Sequence, residues 1–464
     1  MPNDANAIAE RTFGFINEER VVGLLCRMID AASPTGSEGA CAEVVAQHLR
    51  ATGIATEVQR FNAGRANVIG CHPGKSNGVR LMFCGHLDTT GTGDPEIDYP
   101  GYGMLSAGDQ AHGFVEDGIV HGLGAFNMKG GVAAAIEALA ALHDAGASLA
   151  GDVLLGAVSG ESEKAPVKGA LRDFHGPFYE GGGVGASWLL HHARQPDAAV
   201  ICEPSDCWVV NAQPGYMLVK ITLHGRAVYQ GAKGPHFPGI SAIDLAWHVI
   251  QALNAWEPRY RERHKLECGM GMMYPNMTVG AIEGGWPFKP TMTPAICNLY
   301  LDVRVSPHVD VETVLRELDE VIRSGLEQTK GGRYTTEVFA NNMPGALIPS
   351  GHPVVQSALA ARNTVLGNVQ GRHPDEELAP GDDGKVFSSF GIPYVKCGPG
   401  GLSQPTKKRD GREWVAVKQL VEAVRIYVLM ALDLANRDRK VVSNWPLPKQ
   451  IPADFSAPAS SPRS

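Results

Sequence analysis

The feature of this sequence that most constrains its fold is a set of four short apolar runs, each of which stops at a polar or glycine-rich turn. The runs are LMFCGH at 81–86, VLLGAV at 153–158, AAVIC at 198–202 and IPYVKC at 392–397. An Ala/Leu-rich stretch with helical spacing, 132–145, separates the first two runs. Short continuous apolar runs that alternate with helices are typical of a buried parallel sheet. We therefore predict an α/β fold whose main part is a doubly wound, mostly parallel sheet.

Polar residues stand at the carboxyl ends of three of these predicted strands. His86 closes the first run, Glu161 follows the second, and Glu203 follows the third directly. Ligands of such sheets bind in the crevice at the carboxyl ends of the strands, so we expect these residues to converge. A neutral histidine binds a metal well when its second ring nitrogen donates to a carboxylate, and Asp88 is spaced to accept that hydrogen bond. The alternative is that residues 86–88 form an ordinary surface turn.

Length, charge and cysteine usage restrict the class of protein. A chain of 464 residues is too long for one ordinary core, which favours two domains. The net charge of −8 comes without a long basic run, which argues against a nucleic-acid partner. No apolar stretch reaches the roughly 18 residues of a membrane span, and the start of the chain lacks a signal-peptide pattern. The nine scattered cysteines, several inside apolar runs, suggest a cytoplasmic protein.

The pattern of predicted elements changes between about residues 211 and 342. Alternating strands and helical stretches follow the order βαββαβ there, which is typical of a ferredoxin-like α+β domain. We predict that 211–342 is an inserted lid and dimerisation domain, and that 1–210 and 343–445 together form the catalytic domain. The Pro- and Ser-rich tail at 446–464 has little to bury and is expected to be extended or disordered.

Several motifs, taken in their order along the chain, carry a resemblance to a known family. GHLDTT, GLGAFNMKGG, CEPS, LDVR and GPGG occur in that order. The sequence resembles the acetylornithine deacetylase, succinyl-diaminopimelate desuccinylase and aminoacylase family of metal-dependent hydrolases. The resemblance implies two metal ions bridged by an aspartate, a lid that commonly dimerises, and hydrolysis of an amide C–N bond beside a carboxylate.

Three departures from the family pattern affect the metal site. Asn127 stands where the bridging aspartate is expected, Ser162 replaces the second of two adjacent acids, and Arg409 replaces a histidine four residues before Glu413. Two divalent cations about 3.5–4 Å apart repel each other strongly unless a carboxylate bridges them. We therefore predict one weakly held divalent transition metal, Mn, Zn or Co, per active site. His86, Glu203 and the amide oxygen of Asn127 are its expected ligands.

A different alignment would supply other ligands. It would recruit Glu163, or His373 and Asp375 of the HPDEE segment, in place of the missing groups.

The resemblance also assigns catalytic roles. Glu161 is the expected general base, because a carboxylate beside a metal-activated water can take its proton. The alternative is that Glu161 is a solvated turn residue. Arg304 of LDVR matches the arginine that holds a substrate carboxylate, a task suited to the bidentate guanidinium. The alternative is an exposed arginine paired with Asp302.

Further substrate-binding positions show departures as well. The family's lid histidine corresponds to Tyr229 and its lid asparagine to Thr291, and we consider His236 as a substitute donor. Together with Arg409, these residues complete the predicted substrate-binding set.

We predict a metal-dependent hydrolase that cleaves a C–N bond in a small carboxylate substrate, using metal-activated water and Glu161. The altered groups leave two alternatives, a hydrolytic deaminase of an amino-aromatic carboxylate and a non-catalytic carboxylate-binding protein. The expected assembly is a homo-oligomer, a dimer or larger, formed through the lid.

Overall fold

A computed structural model of the protein describes residues 3–94, 110–162, 167–171, 180–193, 195–268, 271–327, 329, 332–372, 381–400, 408–409 and 412–445. The predicted tail at 446–464 lies outside these residues.

The described chain forms mixed helices and strands. The helices are Asn3–Phe13 (α1), Glu18–Asp30 (α2), Gly39–Ala51 (α3), Gly130–Asp144 (α4), Val184–His192 (α5), Ala242–Arg263 (α6), Val311–Glu327 (α7), Pro353–Leu366 (α8), Gly384–Ser389 (α9), Val417–Leu434 (α10) and Lys440–Ser443 (α11). The strands are Ala55–Asn62 (β1), Arg65–His72 (β2), Leu81–His86 (β3), Phe114–Glu116 (β4), Ile119–His121 (β5), Val153–Val158 (β6), Ala198–Ile201 (β7), Ala212–Gln213 (β8), Gly215–His224 (β9), Leu266–Glu267 (β10), Met272–Met273 (β11), Met277–Gly284 (β12), Ile296–Val305 (β13), Arg333–Met343 (β14), Ala346–Leu347 (β15), Tyr394–Lys396 (β16), Lys408–Arg409 (β17) and Arg412–Ala416 (β18).

The main sheet contains the four apolar runs. Its strand order is β1-β2-β6-β3-β7-β16. Strand β3 pairs in parallel with both β6 and β7, and β16 pairs in parallel with β7, whereas β1 and β2 are antiparallel. The fold is therefore mixed α/β with a mostly parallel central sheet. The carboxyl ends of β3, β6 and β7 meet at one edge, as predicted.

Helices cover both faces of this sheet. The ring of Phe83 packs on Tyr427 of α10, with 4.9 Å between ring centroids. The preceding residue, Met82, points to the opposite face, where its sulfur and Leu189 of α5 close over Gly156. Consecutive strand residues alternate between faces, so both faces are buried and the strands read as continuous apolar runs.

Helix α4 runs through the core. Within the described residues, the stretch Ala125–Asp144 has the length and mean hydropathy of a membrane span, but 94% of its apolar window is buried inside the protein. The high hydropathy of this helix is therefore explained by its contacts with the sheet and with α10.

A second unit, residues 215–343, has its own antiparallel sheet of order β12-β13-β9-β14, with α6 and α7 packed on it. The four strands of this sheet and the two helices follow the order βαββαβ, and the short strands β10 and β11 form a separate pair between α6 and β12. Val219 and Ile221 of β9 point into an apolar cluster shared with the two helices, and the intervening Lys220 points to the other face. The boundaries 211–342 and the role of this unit as a lid stay predictions.

The polar face of the second sheet contacts a turn at residues 167–171. Lys220 Nζ donates to the carbonyl of Lys168 at 2.5 Å. Asn298 Nδ2 donates to the carbonyl of Gly169 at 3.2 Å, and Glu283 Oε2 accepts the N–H of Leu171 at 3.0 Å. These bonds join the second unit to the chain that follows β6.

Candidate active site

His86 lies at the carboxyl end of β3 and is almost fully buried. Its Nδ1 is 2.8 Å from the main-chain oxygen of Asp88, and its Nε2 is 2.7 Å from Asn127 Oδ1 and 3.3 Å from Glu203 Oε1. A proton on Nδ1 that is donated to the Asp88 carbonyl leaves the Nε2 lone pair free. The structure therefore brings the three predicted metal ligands together around one ring nitrogen.

The contact between Asp88 and His86 differs from the one predicted. The Asp88 carboxylate is 3.5 Å from Nδ1, and the main-chain oxygen makes the shorter contact. The carboxylate instead accepts the N–H groups of Gly160, Glu161 and Ser162 at 2.9, 3.1 and 3.0 Å. It also accepts the hydroxyl of Thr35 at 2.9 Å. The amides of the turn after β6 occupy this carboxylate. Asp88 therefore orients His86 through its main-chain oxygen, and its side chain fixes the turn that contains Glu161.

Close backbone packing positions Glu203. The carbonyl of Cys202, the preceding residue, lies where a side chain on Gly131 or Gly398 would fall, at 1.9 and 2.3 Å from an added Cβ. Only glycine allows the start of α4 and the turn after β16 to approach β7 this closely. The glycines of the KGG and GPGG motifs thus explain how Glu203 reaches the crevice.

Glu161 is held by the turn after β6. Its N–H donates to Asp88, and its carbonyl accepts the N–H of Gly182 at 3.0 Å. Its carboxylate Oε1 lies 3.7 Å from Nζ of Lys385. The side chain is 17% exposed, so it is a partly enclosed carboxylate rather than a solvated turn residue.

Two site residues were missed by the sequence reasoning, Asp383 and Lys385. Both are buried at the start of α9, in the segment GDDGK. The two carboxylate oxygens of Asp383 accept no hydrogen bond from any described residue. The signal in the sequence was an acidic pair between two glycines, followed by a lysine, but it follows no predicted strand, so it was not connected with the crevice.

Buried charges shift the pKa values of this cluster. Burial raises the pKa of Glu161, while Lys385 and His86 oppose this rise. Burial and the Glu161 charge hold the pKa of Asp383 well above its ordinary value. Burial disfavours protonation of His86, but the carboxylates of Asp88 and Glu203 outweigh burial and raise its pKa. The site therefore has an excess of carboxylates and suits a cation.

The spacing of the donor set fits a bound metal ion. Ligands about 2.0–2.2 Å from a metal lie roughly 3–3.5 Å from one another. The His86–Glu203 distance of 3.3 Å satisfies this spacing, and a small shift of the Asn127 amide would do the same for the third donor. Among the described residues, no cluster of three or more His, Cys, Asp or Glu side chains could hold a metal.

The residues at the positions of the missing ligands make other contacts. Ser162 Oγ lies 3.0 Å from the hydroxyl of Thr90. Glu413 Oε2 accepts the N–H of Gly124 at 2.9 Å. Arg409 lies in β17, where its backbone pairs with Arg412. The alternative ligands Glu163, His373 and Asp375 lie outside the described residues.

Arg304 lies where the second unit faces the main sheet. Its guanidinium donates to Asp302 at 2.7 Å and stacks over the ring of Tyr216 at 5.2 Å. A side chain on Gly381 would be 3.3 Å from it, so Arg304 reaches the chain just before Asp383 and Lys385. Lys385 Nζ lies 4.8 Å from the same Tyr216 ring. The ion pair between Arg304 and Asp302, considered as an alternative from the sequence, therefore forms, and Arg304 still lies close to the crevice.

Three further substrate-binding candidates lie on the surface of the second unit. Tyr229, His236 and Thr291 are exposed, and Tyr229 is 53% exposed. Tyr229 forms a β-bridge with Met292, and the carbonyl of Thr291 accepts the N–H of Gln230 at 2.8 Å. Tyr229 and Thr291 therefore lie close together. Within the described part of the chain, no hydrogen bond or ion pair joins any of the three residues to His86, Asn127, Glu161 or Glu203.

Comparison with known proteins gives a consistent family. An acetylornithine deacetylase of Proteus mirabilis is 24% identical over 331 residues, 70% of this chain and 75% of that protein. A succinyl-diaminopimelate desuccinylase of Corynebacterium glutamicum is 24% identical over 403 residues, 86% of this chain and 93% of that protein.

Solved structures share the fold. Aminopeptidase PepT of Bacillus cereus is similar with a TM-score of 0.67 at 21% identity, over 91% of this chain and 100% of that one. The YXEP protein of Bacillus subtilis, a dinuclear metal-binding peptidase, is similar with a TM-score of 0.60 at 13% identity, over 90% of this chain and 99% of that one. The family described as Peptidase family M20/M25/M40 matches residues 82–433. The chain therefore belongs to the M20/M25/M40 peptidase family, as a divergent member of it.

Proposed function

We propose that the protein is a metal-dependent hydrolase that cleaves the C–N bond of a small carboxylate-bearing substrate. The observation that carries the proposal is the convergence of Asn127 and Glu203 on Nε2 of His86, at 2.7 and 3.3 Å. Glu161 stands beside this cluster with its backbone fixed on both sides. The related deacetylase and desuccinylase support an amide as the bond that is cleaved.

The residues of the chain have separate roles in such a reaction. A bound divalent metal would act as a Lewis acid and lower the pKa of the attacking water. Glu161 takes one proton of that water while the oxygen of the water bonds to the amide carbon. When the C–N bond breaks, Glu161 returns the proton to the leaving nitrogen, so that one water yields a carboxylic acid and an amine. Arg304 holds the substrate carboxylate and fixes the carbonyl in the crevice.

We propose one metal ion per site, Mn, Zn or Co. Support comes from the donor set, which offers one imidazole, one carboxylate and one neutral amide. Catalytic zinc sites commonly have three strong protein ligands, so a site with two strong ligands and an amide should bind its metal weakly. The substrate carboxylate or carbonyl is then a natural further ligand.

Metal titration of the chelator-treated protein tests this function. The expected result is one equivalent of Mn, Zn or Co per chain, bound more tightly when an N-acyl amino acid is present, together with hydrolysis of that compound. Two tight equivalents would contradict the single-metal site. Release of ammonia from amino-aromatic carboxylates, without cleavage of N-acyl amino acids, would favour deamination. Metal-independent binding of carboxylates without turnover would overturn the catalytic assignment.

We also propose that two copies assemble through the second unit, residues 215–343. The surface that carries Tyr229 and Thr291 also exposes large apolar side chains, including Trp286 and Phe288 at 64% and 87% exposure. An exposed patch of this kind is typical of a protein–protein interface. In this arrangement Tyr229 of each copy would serve the crevice of the other.

Subunit mixing tests this assembly. Tyr229→Ala and Glu161→Gln proteins, each inactive alone, should regain up to about a quarter of the wild-type activity when mixed, because one crevice in the hybrid has both residues. No recovery from a mixture that forms hybrids would contradict donation between subunits.

A further inference from the structure

Lys385 is a buried lysine with an unusual set of neighbours. Its side chain is 4% exposed, and the nearest carboxylate oxygen, on Glu161, is 3.7 Å from Nζ. Its ammonium also lies 4.8 Å from the centre of the Tyr216 ring. No described residue accepts a hydrogen bond from this ammonium. A buried charge without close partners is costly, so its position points to an electrostatic role.

Other buried lysines of the chain are paired closely. Lys396 Nζ lies 2.9 Å from Asp382, and Lys220 Nζ lies 2.5 Å from a carbonyl and 3.2 Å from Glu337. These contacts are the usual way to satisfy a buried ammonium. Lys385 differs because its Nζ lies farther from the nearest carboxylate, at 3.7 Å, but still interacts electrostatically with the carboxylates of the site.

The surrounding charges show what the ammonium balances. Glu161 and Asp383 face it, Asp382 is near in sequence and adds to the field, and Arg304 shares the Tyr216 ring. The carboxylate of Asp383 accepts no hydrogen bond from the described residues. A single metal ion held by His86 and Glu203 would leave Glu161 and Asp383 without a cation if Lys385 were absent. The positions that could bring in a second metal carry Asn127 and Ser162.

We propose that the ammonium of Lys385 supplies the positive charge that a second metal ion would supply, and that it restricts the site to one metal. This inference rests on the proposed metal-dependent hydrolase. A fixed cation beside Glu161 keeps that carboxylate ionised and available to accept a proton. The same cation repels a divalent ion from the space near Glu161 and Asp383. Lys385 is thus a positioning residue that acts through the charge of the general base.

Metal titration of Lys385→Met and Lys385→Gln, with Lys385→Arg beside them, tests the inference. Loss of the ammonium should tighten Mn or Zn binding at least about tenfold or admit a second equivalent, since a like charge has been removed. Turnover of an N-acyl amino acid should fall at least about tenfold, chiefly in kcat. Lys385→Arg should keep one equivalent and most of the activity. The double variant that carries both Lys385→Met and Asp383→Asn should again bind one equivalent of metal per chain.

Lys220→Met is the matched control, because it removes a buried lysine from the second sheet. It should leave metal affinity at the wild-type value. A merely structural role for Lys385 would weaken metal binding in its variants, and unchanged affinity, stoichiometry and kcat in both neutral variants would overturn the inference. A wild-type protein that binds no metal and hydrolyses nothing would instead overturn the proposed function itself.

Discussion

The ring nitrogen Nε2 of His86 lies 2.7 Å from the amide oxygen of Asn127, so a neutral donor occupies the position at which the family pattern has a carboxylate. An amide oxygen can complete a coordination sphere, but it contributes no charge. Compared with the family pattern, this exchange removes one negative charge beside His86, and with it the carboxylate that would bridge two cations.

Asn127→Asp should therefore bind Mn or Zn more tightly than the wild type, by at least about tenfold, because a charge is added within contact distance of the metal. Equilibrium dialysis with metal analysis measures the change. Asn298→Asp, which places a new carboxylate on a buried asparagine of the second sheet, is the control and should leave the affinity unchanged. Equal affinity of Asn127→Asp and wild type would show that residue 127 does not contact the metal.

Exchange of the two site glutamates for glutamine should separate catalysis from metal binding. Glu161→Gln keeps the size of the side chain but removes the proton acceptor, so turnover should fall by about 10²- to 10⁴-fold while one metal remains bound. Glu203→Gln should lose the metal, because it removes the only charged oxygen close to His86 Nε2 among the described residues. The two variants are compared by metal content and by initial rates. Full turnover by Glu161→Gln would reject the general-base assignment.

Substitution of Arg304 should affect recognition of the substrate carboxylate. Arg304→Lys loses the planar, bidentate guanidinium, so KM should rise by about 10- to 100-fold, equivalent to the roughly 1.5–3 kcal/mol of a charged hydrogen bond, with a smaller change in kcat. Steady-state kinetics with a carboxylate substrate measure both constants. Arg261 of α6 stacks over Tyr274 at the same 5.2 Å and pairs with Glu257 of its own helix, so Arg261→Lys is the control for lost stacking. A matching rise in KM in both variants would argue against a direct role of Arg304.

His352 should make the protein less stable in mild acid. It is fully buried at the start of α8, where Nδ1 accepts the N–H of Val354 at 3.2 Å, and burial lowers its pKa to about 4 from 6.5. Between these two values the unfolded chain takes up a proton that the folded protein resists. Above pH 6.5 the titration of His352 does not reduce the free energy of unfolding. That free energy declines as the pH falls below 6.5, and the loss due to His352 reaches its full size below about pH 4.

His352→Asn keeps a good helix cap and removes this titration. Urea unfolding at about pH 7.5 and about pH 5 should show a stability loss on acidification that is about 2 kcal/mol smaller in the variant. His48, whose pKa burial also lowers to about 4, and His72, whose pKa burial lowers, remain in both proteins and contribute to the residual loss. The same acid-induced loss in both proteins would contradict the assignment to His352.

The sequence was sufficient to place the residues that close buried strands. The runs that end at His86, Glu161 and Glu203 are continuous and apolar because the sheet is covered on both faces, and parallel strands present their carboxyl ends at one edge. These local patterns predicted the sheet and the convergence of the three side chains. The sequence also identified Asn127 and Ser162 as departures, because the motif around each is otherwise intact.

The sequence could not show which groups those side chains contact. Asp88 was expected to bind His86 through its carboxylate, but the amides of the turn after β6 take that carboxylate, and they are more than seventy residues away along the chain. Their approach depends on how β3 and β6 pair, which spacing along the chain does not reveal.

The sequence by itself determined the mostly parallel α/β sheet, the family and the loss of acidic metal ligands, because these follow from local periodicity and from residue identity within short motifs. Only the tertiary structure decided that Lys385 stands 3.7 Å from Glu161, that Asp383 is buried beside them, and that Arg304 reaches Gly381. Those contacts join segments more than two hundred residues apart or lie across two sheets. Their energies depend on burial and on the field of neighbouring charges, which exist only once the chain is folded.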